Sequence, residues 1–137
     1  SEAEIWPALG DITMAVNTAA EAVDFSGVGT LVGVAGSVTT VTAHALRLDS
    51  YDSARIHGAE IPVEQAIAAC TELVQMSRAD RAALPYMHEG RVDVIGAGAL
   101  VWRSIIQRVQ HDSGLTTVRA SEHDILDGIA LSQVAPA

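Results

Sequence analysis

The stretch Val32-Gly33-Val34-Ala35-Gly36-Ser37-Val38-Thr39-Thr40 has the composition of a strand that ends in a glycine turn and hands over to a helix. The first N–H groups of a helix have no intrahelical acceptor, and the helix dipole favours negative charge at that end. Gly36 lets the main chain approach an anion closely, and Ser37 or Thr39 could donate to it. The candidate phosphate-binding residues are therefore Gly36, Ser37, Val38, Thr39 and Thr40. The same pattern also describes an ordinary strand–turn–helix corner with Ser37 as its cap. It is not a P-loop, because the spacing and the lysine of that motif are absent. Arg55 and His57, just before Gly58, are further candidate anion contacts.

Other polar groups carry less. Gly96-Ala97-Gly98 imitates a dinucleotide fingerprint but lacks its third glycine and reads better as a close helix contact. The five histidines lack metal-ligand spacing and are assigned to surface or capping roles. Ser121, His123 and Asp124 are too close together in the chain to act as nucleophile, base and orienter. Cys70 falls on an apolar helix face and is read as inert core. Arg91 and Asp93 are read as a structural ion pair.

These groups sit in a chain of 137 residues, 49% apolar and 18% charged, enough for one domain with a sizeable core. Aromatics are 4%, so that core must be aliphatic. The net charge is −9, with eight Arg and no Lys against 17 acids. A surface of that sign excludes non-specific nucleic-acid binding, and any phosphate must be gripped locally. A single cysteine makes no internal disulfide and points to a reducing, cytoplasmic setting. No apolar run reaches the ~20 residues of a membrane span.

Apolar spacing predicts helices over 4–23, 38–48, 63–76, 77–84 and 87–110, the last with Gly96-Ala97-Gly98 as its weak point. Ser121-Glu122-His123-Asp124 reads as a capping-box start to a helix ending at Ser132. Strands are expected at 30–35, buried on both faces, and 115–120, with a brief extended piece at 59–61 and a polar connection over 49–58. The tail from Val134 should fray. This is a helix-rich α/β fold with an incomplete sheet. Ser1-Glu2-Ala3-Glu4 opens in mid-helix without Met, which reads as an excised piece.

Four blocks then fall in a telling order. Gly33-Val34-Ala35-Gly36-Ser37-Val38-Thr39-Thr40-Val41 is followed by Tyr51-Asp52 with Arg55-Ile56-His57-Gly58. Next come Gly90-Arg91-Val92-Asp93-Val94-Ile95 with Gly98-Ala99-Leu100, then Ser121-Glu122 with Gly128-Ile129. From Leu31 to Ile129 the chain resembles the Ppx/GppA family of exopolyphosphatases and guanosine pentaphosphate phosphohydrolases.

The resemblance implies an RNase H-like (actin-like ATPase) two-domain enzyme with its site in the interdomain cleft. Residues 1–137 would then be a single fragment, the C-terminal part of domain II. Gly36–Thr40 falls where such enzymes place a phosphate-cradling loop. The family usually has Thr where Ser37 stands, a change that keeps the hydroxyl. The family's catalytic carboxylates, and the magnesium or other divalent metal they hold, lie upstream. No catalytic residue and no metal ligand is assigned in this chain, which is expected to be inactive alone. The partners implied are the upstream segment of the same protein, polyphosphate or a guanosine penta- or tetraphosphate, and a homodimer mate. An actin-fold kinase fragment and a non-catalytic phosphate- or nucleotide-sensing module stand as alternatives.

Overall fold

The structure, a computed structural model, describes residues 2–134, with side chains from residue 5. The expected fraying of the tail lies, beyond Val134, outside the described residues. The elements run α1 (Glu2–Ala22), β1 (Leu31–Gly33), α2 (Ala35–Ala45), α3 (Ser53–Ile56), β2 (Glu60–Pro62), α4 (Val63–Gln75), α5 (Arg78–Ala82), a 3₁₀ turn (Glu89–Arg91), α6 (Ile95–Ser113), β3 (Thr117–Ala120) and α7 (Ile125–Ser132). The sheet order is β1-β3-β2. β1 pairs parallel to β3 with Leu31 opposite Val118, and β2 pairs antiparallel with Ile61 opposite Val118. The fold is helix-rich α/β with a small three-stranded sheet, the extended piece at 59–61 supplying the third strand.

The core lies where α2, α4 and α6 meet the sheet. α4 buries Ala66, Ala69, Cys70 and Leu73, and α6 buries Ile95, Ala99, Trp102, Ile106 and Val109. Each large aliphatic side chain buried this way contributes roughly 1.5–3 kcal/mol. Cys70 is buried among them, and desolvation pushes its thiol up to about 12, so it behaves as a small hydrophobe. α1 packs on α6 and leaves Trp6 and Met14 exposed. No helix of the described residues is long and apolar enough to cross a membrane.

α2 shows how burial overrides propensity. Its Val-Thr-Thr-Val-Thr opening is poor helix material. Yet Val38 to Ala45 are all buried, and the inward hydroxyls return to the helix backbone. Thr40 donates to Gly36 O at 2.7 Å and Thr42 to Val38 O at 2.9 Å, so no buried hydroxyl there is left unpaired.

Five expectations need correction. α2 starts at Ala35 rather than Val38, and β1 is correspondingly shorter. β1 is not buried on both faces: it is an edge strand, and Val32 is 50% exposed. The helix expected from Met87 starts at Ile95, because Pro85 and Gly90 punctuate the segment and His88 caps the 3₁₀ turn by accepting the Gly90 N–H at 3.1 Å. It also runs past Gln110, until Gly114 takes the left-handed conformation at φ 74°. Within the expected connection 49–58, Asp52 caps α3 by accepting from the Ala54 and Arg55 amides. The box opening α7 is Asp124 with Asp127, while Ser121 serves the turn before it.

Gly98, in the first turns of α6, lets that helix meet the start of α2. A Cβ there would overlap the Ser37 side chain, whereas one at Gly128 of α7 would meet open space. Gly98→Ala should therefore lower unfolding free energy by about 1–3 kcal/mol, with part recovered in a Ser37→Ala background. Gly128→Ala should raise it by about 0.5–1 kcal/mol. Urea unfolding of the three variants checks both signs, and equal effects at the two glycines would contradict the packing.

Candidate functional site

Parallel strands β1 and β3 end on the same edge of the sheet, where the Ser121 N–H donates to Gly33 O at 2.9 Å. Ligands of open α/β sheets bind beyond such carboxyl ends. Two connections meet there: Val34, which opens the first turn of α2, and Ser121 to Asp124, leading into α7.

The first connection is shaped by one residue. Ala35 has φ 71°, a left-handed value that costs a side-chain-bearing residue about 1–2 kcal/mol. Left-handed backbone followed at once by helical backbone turns successive N–H groups toward a common point, the concavity called a nest. Val34 in the N-cap position offers no side-chain cap. Among the described residues no main-chain or side-chain acceptor takes the Gly36 or Ser37 amides. These two amides remain as donors.

Gly36 is half-buried, and what lies on it is Arg91. A Cβ at position 36 would come within 2.6 Å of the Arg91 Nε, so only glycine leaves room for the guanidinium against the main chain. Arg91 also donates to the Thr40 hydroxyl at 3.2 Å and lies 5.9 Å from the Tyr51 ring centroid. Sequence reading missed this residue by pairing it with Asp93. Asp93 belongs instead to Arg78, at 2.6 Å, whose hydrogen bond holds its carboxyl below the ordinary 3.8. The available signal was that Gly90-Arg91 precedes a glycine-rich helix start that must face another element closely.

The other candidates separate. Thr39 and Thr40 are 2% and 0% exposed with hydroxyls engaged inside the fold, and Val38 is buried, so their part is structural support. The Tyr51 hydroxyl donates to Glu122 at 2.7 Å and lies 3.0 Å from the Thr39 hydroxyl. Glu122 in turn donates its backbone N–H to His57 Nδ1 at 3.2 Å. His57 thus serves the second connection, and Arg55 stands exposed on α3. Tyr51, Tyr86, Met87, His88, Arg91 and Glu122 line a cleft of about 450 Å³. Among the described residues no three His, Cys, Asp or Glu side chains converge to hold a metal ion.

His44 corrects the expectation that every histidine is superficial. It is 1% exposed, and burial pushes its pKa below the ordinary 6.5. Its Nε2 lies 2.9 Å from Glu72 Oε2, and its Nδ1 meets the Tyr86 hydroxyl.

The chain is an α/β element whose strand–helix turn, at the carboxyl edge of a small sheet, leaves two amides without an acceptor among the described residues beside a guanidinium. Comparison with known proteins then identifies it. The model of the Ppx/GppA phosphatase family matches residues 8–133, and this chain belongs to that family. It is 46% identical over 103 residues to exopolyphosphatase 2 of two Mycobacterium tuberculosis strains, a match covering 75% of this chain and 32% of the relative. A crystal structure of an exopolyphosphatase-like protein superposes with TM-score 0.90 at 36% identity, over 96% of this chain and 42% of the other. An Aquifex aeolicus Ppx/GppA family member matches in fold alone, with TM-score 0.79 at 18% identity over 97% and 41%. The chain thus spans about a third of the curated relatives it matches.

Replacing Ala35 by Gly tests the nest without touching its donors. Relief of the left-handed strain should raise unfolding free energy by about 1 kcal/mol in thermal or urea unfolding. A loss of about 0.5–1 kcal/mol, as for glycine in an ordinary helix, would show that residue 35 is not held as described.

Proposed function

We propose that this chain forms one wall of a phosphate cleft in an exopolyphosphatase or guanosine pentaphosphate phosphohydrolase, which releases terminal phosphate by attack of water. The observation that carries the reading is the Arg91 guanidinium lying against Gly36, at a helix start whose Gly36 and Ser37 amides have no acceptor among the described residues. Phosphoryl transfer requires in-line placement and neutralisation of charge spread over the phosphoryl oxygens. Two amides and a planar donor fork match such oxygens, and charge-assisted hydrogen bonds of this kind are worth about 1.5–3 kcal/mol each. With a net charge of −9, only this local grip offsets the repulsion of a polyanion by the surface.

The remaining machinery belongs to other parts of the protein. No acid among the described residues is assigned as the base that activates water, and the carboxylates that would hold magnesium or another divalent ion are placed outside residues 1–137. The chain alone should bind phosphate without turning it over. Its natural partner is the rest of the same protein, and its single cysteine suits a cytoplasmic setting.

Calorimetric titration with inorganic phosphate, medium-length polyphosphate and guanosine pentaphosphate checks the reading. Binding should weaken by roughly 10- to 100-fold in Arg91→Ala, as expected from losing one charge-assisted contact. In Arg55→Ala it should change by less than about threefold, as for a rim charge outside the cleft. Absence of binding by the unsubstituted chain, or equal loss in the two variants, contradicts the reading. Phosphate release by the isolated chain contradicts its inactivity.

A further inference from the structure

Gly36, Thr40 and His44 recur every fourth residue and therefore form one stripe along α2. The segment from Tyr86 to Arg91 lies along that stripe and is fastened at both ends. Arg91 sits on Gly36 and Thr40, and Tyr86 meets His44. The segment contributes four of the six residues that line the cleft, Tyr86, Met87, His88 and Arg91.

The fastening at Tyr86 has a defined polarity. Glu72 Oε1 receives Arg47 at 2.8 Å, and its Oε2 faces His44 Nε2 at 2.9 Å. A carboxylate only accepts, so Nε2 carries the hydrogen. In the neutral ring Nδ1 is then bare and accepts from the Tyr86 hydroxyl. We infer that half-exposed Glu72 and the buried His44 and Tyr86 form a relay that holds the 86–91 segment against α2, making His44 and Tyr86 positioning residues for Arg91 and hence for the bound phosphate. The inference rests on the reading of this cleft as an anion site.

Protonation of His44 reverses the polarity of the relay at Tyr86. Nδ1 becomes a donor, and the Tyr86 hydroxyl must turn its hydrogen away toward the cleft. Three groups act on the ring: Glu72 from α4, Arg47 just beyond the end of α2, and Tyr86 from the cleft segment. Glu72 favours the imidazolium, whereas burial, foremost, and Arg47 oppose it. Burial would also raise the Glu72 carboxyl, but the hydrogen bonds from His44 and Arg47 outweigh it and hold the group below 4.5. Because the folded value of His44 lies below 6.5, the neutral polarity holds above that pH and reverses as pH falls through the folded value.

The test is a nitrogen-15 NMR titration of this chain between about pH 8 and 5, a span centred on the ordinary histidine range. It follows the His44 ring nitrogens and the Arg91 Nε–H, with and without inorganic phosphate. The expected result is an Nε2–H tautomer at neutral pH and an Arg91 signal that moves with the midpoint of His44, below 6.5. Tyr86→Phe, which keeps the ring, should uncouple the two signals and weaken phosphate binding about fivefold, the equivalent of one neutral hydrogen bond. His44→Asn supplies an acceptor near Nδ1 that does not titrate, and should keep phosphate binding at pH 7.5 while removing the acid-dependent movement of the Arg91 signal. An Arg91 signal indifferent to His44 titration, or Tyr86→Phe binding equal to the unsubstituted chain, overturns the relay. Coupled His44 and Arg91 signals with no phosphate response upholds the relay and overturns the anion reading.

Discussion

The constraint on which the site depends is the contact between the Arg91 guanidinium and the Cα of Gly36. The guanidinium occupies the volume that any side chain at position 36 would fill. With no side chain at Gly36 the cation lies against the start of α2, and the Tyr86–Arg91 segment is drawn down against the helix. The hydroxyl of Thr40 ties the same arginine from below. None of these contacts is large in energy alone. Their value is geometric, since a planar donor fork held in one orientation loses little freedom on meeting an oxyanion.

The core explains why that orientation is stable. α2 is buried along most of its length between the sheet, α4 and α6, so its first turn cannot drift relative to the strand edge. Small residues at the meeting of α2 and α6, Ser37 against Gly98, bring the helix starts close enough for Arg91 to reach across. The last helix and the edge strand are packed differently. α7 presents Ile125, Leu126 and Leu131 at 75%, 70% and 71% exposure, and β1 leaves Val32 exposed at the sheet edge. The molecule is thus tightly packed behind the candidate site and open along one side of its sheet.

Much of this was legible in the residues. The glycine turn after a short apolar strand marked the junction of β1 and α2, and apolar periodicity found α1, α2, α4 and α6, because each buries one face on a common core. What was hidden depended on contacts between distant parts of the chain. Arg91 and Asp93 lie two apart and suggest a pair, yet the 3₁₀ turn that opens at Glu89 sends them to different partners, Thr40 and Arg78. His44 looked like any helix histidine until Glu72 and Tyr86 arrived from elements 28 and 42 residues away. The left-handed Ala35 carries no sequence mark at all, since glycine would be the ordinary choice there.

The most direct measurement is a crystal structure of this chain grown with pyrophosphate. The account predicts anion oxygens within about 3 Å of the Gly36 and Ser37 nitrogens and of the Arg91 guanidinium. An anion bound elsewhere, with Arg91 unmoved and the two amides facing only solvent at saturating ligand, would contradict it.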